Sequence, residues 1–209
     1  MDEAVKIKLI KSWLGTGAIN IFGQPFAGKD TLGRKLAELL GAEFLSSGEI
    51  IRSNAGLFTQ KAVKGVNNGS MAPQEEFKRI VLPYFGHKAL VGKPLILSSV
   101  GRWFGEEYPV MNTLIKFNHP TKAVLVLNIS KKEVLQRWRV THENEGRHHR
   151  KDDSSEKVVK HRLKEYETKT QPVIDFYARL GLAYMIDSSQ PREKTLADTL
   201  DTLLHLAQK

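Results

Sequence analysis

The stretch Gly23-Gln24-Pro25-Phe26-Ala27-Gly28-Lys29-Asp30-Thr31 constrains the fold more than any other part of the chain. It follows Ala18-Ile19-Asn20-Ile21-Phe22, a short apolar run of the kind buried on both faces of a parallel sheet. It precedes a segment in which Leu32, Leu36 and Leu40 recur at helical spacing. Strand, glycine-framed turn and helix are the setting of a phosphate-binding loop. Gly23 and Gly28 permit a tight turn whose N–H groups point inward. The helix N-terminus adds partial positive charge at the same place, and Lys29 adds a mobile cation. In the usual pattern a hydroxyl residue follows the lysine directly; here Asp30 intervenes and Thr31 supplies the hydroxyl.

Elsewhere the chain alternates between strands and helices. Val5, Leu9 and Trp13 favour a short amphipathic helix within residues 1–16. Gly41 ends the first long helix, Glu43-Phe44-Leu45 reads as a second strand, and Ser47 is expected to cap the helix that follows. From Ser53 to Ala72 glycines and asparagines break the pattern, which predicts a helix-poor lobe. Pro73 opens a helix that Pro83 should kink or split. Pro94–Ser98, with the proline at its start, Ala123–Ile129 and Leu182–Ile186 read as further strands. Lys131–Val140 reads as a helix, Ser154–Leu180 as one long helix bent near Pro172, and Leu196, Leu200, Leu203 and Leu204 as the apolar face of a closing helix. Alternation of this kind predicts an α/β fold with helices on both faces of a five-stranded parallel sheet, and ligands at the carboxyl ends of its strands.

Composition narrows the function. The chain has 209 residues, enough for one well-buried core, and no cysteine, which excludes disulfides and thiolate metal sites and fits a reducing compartment. The N-terminus lacks the pattern of a signal peptide, and no run approaches the length of a membrane span. A cytoplasmic protein is therefore expected. The net charge of +9 is spread along the chain, and its one dense patch, Arg147 to Lys151, is followed at once by Asp152-Asp153. That arrangement suits polyphosphate ligands better than nucleic acid, so nucleic-acid and membrane partners are not expected.

Five segments together resemble the adenylate kinase family of nucleoside monophosphate kinases, in its short-lid form. They are the phosphate loop; Ser46-Ser47-Gly48-Glu49-Ile50-Ile51-Arg52; Gly101-Arg102; Arg137; and Arg150-Lys151-Asp152-Asp153 with Arg162 and the sequence that follows it. The resemblance runs from about Ala18 to Leu204 and implies one P-loop kinase domain over 1–209. An acceptor-nucleotide lobe would be inserted at about 47–73 and a short lid at about 139–150. It implies transfer of the terminal phosphate of ATP to AMP, with magnesium, by a monomer. Gly23, Pro25, Ala27, Gly28, Lys29, Asp30, Thr31 and Arg137 would bind ATP. Ser47, Gly48, Arg52, Met71, Arg102 and Glu106 would bind the acceptor. Lys29, Arg102, Arg150 and Arg162 would act on the transferring phosphate, and Thr31 would hold magnesium, with Glu49 or Ser98 acting through water. Phosphoryl transfer needs positioning and charge neutralisation more than covalent chemistry, and arginine's planar, permanently charged fork suits it.

The chain departs from the family pattern at several places. Phe26 and Asp30 stand where glycine is usual, and Ser98 stands where the family carries a magnesium-holding aspartate, a loss for which Glu49 or Asp30 could compensate; if magnesium is held here as in the family, Ser98→Asp is expected to tighten magnesium or raise activity. The family arginine just beyond Arg137 has no clean counterpart. Long-lid members often carry zinc in the lid; here His142, His148 and His149 are read as solvated or phosphate-contacting. Glu106 stands where AMP-using members commonly have glutamine. An ionised carboxylate only accepts hydrogen bonds, so if Glu106 reads the base it favours GMP; otherwise backbone near Met71 reads it and AMP remains the acceptor. Two alternatives stay open on the sequence: a kinase for another nucleoside monophosphate, and a catalytically weak ATP-binding sensor or assembly protein.

Overall fold

The computed structural model describes residues 2–143 and 151–209. Its centre is a five-stranded, all-parallel sheet in the order β2-β3-β1-β4-β5, built from β1 (Ala18–Gly23), β2 (Glu43–Ser46), β3 (Leu95–Ser98), β4 (Thr121–Asn128) and β5 (Ala183–Asp187). The strand after β1 in the chain lies two places away, so β1 is where successive connections leave in opposite directions. Ligands of parallel α/β sheets bind at that kind of point.

Period-two alternation explains why both faces are covered. Ile19 and Ile21 of β1 and Ala123, Leu125 and Leu127 of β4 face one side, where they pack with Leu36 and Leu40 of α2 (Lys29–Leu40) and Ile10 and Leu14 of α1 (Glu3–Leu14). Leu200 and Leu203 of α10 (Arg192–Ala207) join the same cluster. On the other side Phe22, Val124 and Val126 meet Val173 and Tyr177 of α9 (Gln171–Arg179). Next to them Leu95 and Leu97 meet Phe77 of α5 (Gln74–Ile80) and Val110 and Leu114 of α6 (Glu107–Lys116). Strands buried on both faces carry few polar residues. Asn20, in the middle of β1, is 2% exposed, and its side chain donates to the Val100 carbonyl at 2.7 Å and accepts from the Val100 N–H at 3.3 Å. That pair ties the loop after β3 to the central strand.

Several expectations need correction. Residues 53–72 are not helix-poor: after α3 (Ser47–Ser53) come a 3-10 turn, Ala55–Leu57, and α4 (Gln60–Asn67). Thr59 caps α4 by accepting from the Ala62 N–H at 3.2 Å. Ser47 does not cap α3; Ser46 occupies the capping position without a side-chain bond, and the Ser47 hydroxyl donates to the Ser99 carbonyl at 2.6 Å. Helix α5 ends at Ile80, and Pro83 lies in the 3-10 turn Leu82–Gly86 that follows. The long helix expected over 154–180 is two, α8 (Glu156–Glu165) and α9, joined by a π turn at Tyr166–Thr170. Pro172 has no N–H to return to the preceding turn, and a wide turn just before it absorbs the mismatch.

Candidate active site

At the carboxyl ends of the strands lies one cleft of about 1790 Å³, lined from the loops after all five strands and from α7 (Lys131–Glu143) and α8. Its floor is the phosphate loop. A Cβ on Gly23 would lie 2.8 Å from the Leu127 carbonyl, so only glycine lets β1 and β4 close beneath the loop. Gly28 has φ +88° and opens α2. Phe26 holds φ +62° with a side chain partly buried on the core, so the backbone there is the one a glycine takes easily and a phenylalanine takes under strain. The Lys29 ammonium donates to the Gln24 carbonyl at 2.8 Å, which holds it over the turn. Pro25, Ala27, Asp30 and Thr31 complete this wall.

Strand register places the next groups. Ile21 of β1 pairs with Ser98 of β3, and Ser98 pairs with Ser46 of β2. The Ser98 hydroxyl therefore reaches α2 and donates to Asp30 Oδ1 at 2.6 Å. Glu49 does not join it: it does not line the cleft, and its Oε1 pairs with Arg34 at 2.5 Å. The expected role of Glu49 in holding a metal is therefore withdrawn. Arg52, in the last turn of α3, folds back over Gly48, where a Cβ would lie 3.1 Å from its Nη1.

Arg102 sits on the Asn20-tethered loop and faces Arg162 of α8. Burial, followed by repulsion from Arg162, lowers the Arg102 pKa to about 10, while Glu106, Asp152 and Glu165 oppose the shift. Arg102 stays protonated at neutral pH, so two guanidiniums line one cleft, an arrangement that favours an anion there. Arg162 is oriented by Asp153 and by Asp152, whose Oδ2 is 3.4 Å away. Arg137 donates to the Ser188 carbonyl at 2.6 Å, to Glu133 at 2.9 Å and to the Phe26 carbonyl at 3.4 Å, spanning the cleft between β5 and the phosphate loop.

Other expected residues fall in different places. Arg150, His148 and His149 lie outside the described residues. His142 stacks on Trp138 at 5.2 Å, and no cluster of metal-holding side chains occurs among the described residues. Glu106 is 1% exposed and does not line the cleft. Its Oε2 accepts from the Trp103 N–H at 3.0 Å, and its Oε1 has no hydrogen-bond partner among the described residues. Burial raises its pKa to about 7. The carboxyl thus lies beneath Arg102 and is not presented as a base reader.

Sequence reasoning missed Glu165, which lines the cleft three residues after Arg162, the spacing of one helical face. It accepts from the Met71 N–H at 3.2 Å and from Lys169 at 2.6 Å. Ser70 contacts His161 at 3.1 Å, and a Cβ on Gly69 would lie 2.8 Å from Arg162 Cγ. The 47–72 segment is therefore docked on α8, with Met71 and Ala72 facing the cleft.

The cleft brings the phosphate loop together with Arg52, Arg102, Arg137 and Arg162. Comparison with known proteins agrees. A family model described as adenylate kinase matches residues 21–182. An adenylate kinase of Cyanothece sp. is 30% identical over 180 residues, covering 85% of this chain and 90% of the relative. One of Stenotrophomonas maltophilia is 30% identical over 169 residues, covering 80% and 88%. One of Methanococcoides burtonii is 25% identical over 209 residues, covering 88% and 96%. Sheet order, phosphate loop and converging arginines thus meet the same family by independent routes, and the chain belongs to the adenylate kinase family of nucleoside monophosphate kinases.

Proposed function

We propose that the protein transfers the terminal phosphoryl group of ATP to AMP. The observation that carries this reading is the convergence of Lys29, Arg52, Arg102, Arg137 and Arg162 on one cleft whose floor is a phosphate loop. ATP would lie with its phosphates on the N–H groups of residues 23–31 and its base toward Arg137. AMP would lie under the 47–73 lobe, contacted by Ser47, Gly48 and the backbone at Met71, with its phosphate between Arg52 and Arg102. An anionic phosphate oxygen of AMP attacks the terminal phosphorus, the bond to the bridging oxygen breaks, and ADP leaves from each side. The attacking oxygen carries no proton, so no general base is needed. The residues supply position and positive charge, which is what this reaction requires.

Lys29 would neutralise the terminal phosphates, and Arg102 and Arg162 the charge spread over the transferring group. Arg150 would come from the 139–150 lid, which with the lobe excludes water, the competing acceptor. The oxygens lining the floor, from Thr31, Ser98 and Asp30, are hard donors that suit magnesium, with Thr31 as the hydroxyl that would hold it. When bound, magnesium would offset the charge of the terminal phosphates.

AMP is favoured over GMP because the buried Glu106 carboxyl does not line the cleft, leaving the backbone at Met71 and Ala72 to meet the base. The reading includes a monomer in the cytoplasm. No helix among the described residues is long and apolar enough to cross a membrane.

The test is a coupled assay of ATP consumption with AMP, GMP, CMP, UMP and dTMP in turn. AMP should give the highest kcat/KM. ATP binding without acceptor-dependent turnover on any of the five would instead establish the sensor or assembly role.

A further inference from the structure

Asp30 is an odd residue for its position. It follows the phosphate-binding lysine at the start of α2 and lines the cleft, so its carboxylate faces the ligand of highest negative charge. A carboxylate beside phosphate oxygens is repulsive unless a cation stands between them. It is also positioned: Ser98 Oγ, carried on β3 and set in place by the Ile21–Ser98 register, donates to Asp30 Oδ1 at 2.6 Å. Thr31, the next residue, adds a hydroxyl to the same wall. Three oxygen-bearing side chains from two elements thus meet at the foot of the phosphate loop.

We infer that Asp30, held by Ser98, is the protein carboxylate that holds the magnesium ion of bound MgATP. This rests on the reading of the cleft as an ATP site. The ion relieves the repulsion that Asp30 would otherwise impose, so the loop discriminates metal-bound from metal-free ATP. Ser98 is a positioning residue: its hydroxyl fixes one carboxylate oxygen and thereby the direction of the group. Ser98→Asp alone exchanges the hydroxyl that orients Asp30 for a second carboxylate, so Asp30 loses its orienting hydrogen bond.

The competing role for Asp30 is electrostatic support of α2, since an acidic residue in the first turn stabilises a helix. The two roles separate in binding measurements that need no turnover. The affinity of the protein for a fluorescent ATP analogue is measured in EDTA and in magnesium, for wild type and Asp30→Asn. The electron paramagnetic resonance spectrum of manganese with ATP is recorded on both. In wild type, magnesium should tighten ATP strongly. In Asp30→Asn, which keeps the size of the side chain, metal-free ATP should bind tighter, and the gain from magnesium should fall by roughly tenfold or more. The bound manganese signal should change with it.

The exchanged variant Asp30→Ser/Ser98→Asp keeps one hydroxyl and one carboxylate facing each other and should recover most of the magnesium gain. Thermal melts confirm that each variant is folded. ATP binding with a magnesium gain unchanged within about twofold in Asp30→Asn would overturn the inference and leave Asp30 as helix support. Failure of wild type to bind ATP in either condition would overturn the ATP site itself.

Discussion

Glu106→Gln isolates the cost of a buried carboxyl under the acceptor arginine. Glu106 is 1% exposed, and desolvation moves its pKa from an ordinary 4.5 to about 7. A carboxyl whose folded pKa lies above its unfolded value is protonated more readily in the folded state. The folded form therefore loses stability as pH rises from about 4.5, and the loss is complete above about 7. At about 1.36 kcal/mol per pH unit that interval corresponds to roughly 3 kcal/mol. The amide of glutamine has nearly the shape of the protonated acid and keeps an acceptor for the Trp103 N–H. At pH 5 the variant should therefore melt close to wild type. At pH 8 it should be more stable by roughly 2–3 kcal/mol, a rise of about 4–12 °C in Tm for a chain of this length. Melting both proteins by circular dichroism at half-unit steps from pH 5 to 8 gives the comparison. A difference between them that stays constant across that range would refute the reasoning, because a purely steric effect does not titrate.

The same substitution should leave the ratio of kcat/KM for AMP to that for GMP unchanged, since Glu106 does not line the cleft. A shift of tenfold or more toward AMP would return its carboxyl to the base. Lys29→Met should lower kcat by about a hundredfold or more while thermal melting stays near wild type, because the lost ammonium acts mainly on developing phosphate charge. Gly69→Ala should raise KM for AMP several-fold and leave ATP affinity within about twofold. Gly69 has φ +87° and a Cβ there would lie 3.2 Å from the Val158 carbonyl, so the acceptor lobe has to lift from α8 while the phosphate loop is untouched.

Much of this architecture was readable from residue order. Gly23, Gly28 and Lys29 announce the loop because a tight turn, a helix N-terminus and a cation are local requirements. The strands were legible because burial on both faces leaves short apolar runs. Local patterns failed where tertiary contacts decide the outcome. Helix α6 went unrecognised because Glu106, Glu107 and Pro109 obscure its start, although Val110 and Leu114 pack into the core. Helix α4 was hidden by Gly65 and Asn67, yet it forms beneath a Thr59 cap. The Asp30–Ser98 pair joins residues 68 apart and exists only through the pairing of β1 with β3. The fate of Glu106 depends on side-chain direction, which spacing from Arg102 does not encode.

Helix α8 has a consequence for how the two substrates influence each other. One face of it presents Arg162 to the cleft, while His161 and Glu165 hold Ser70 and Met71. On the proposed function, the part that would grip the transferring group and the part that latches the acceptor compartment therefore sit on one helix, a single lever. Any tilt of that lever moves both, so neither partner's arrival is mechanically silent to the other. On the proposed function the protein would act as a coincidence detector, its grip complete only when both ends of the cleft are filled, and a lone ATP would leave that helix half engaged, guarded against idle loss to water.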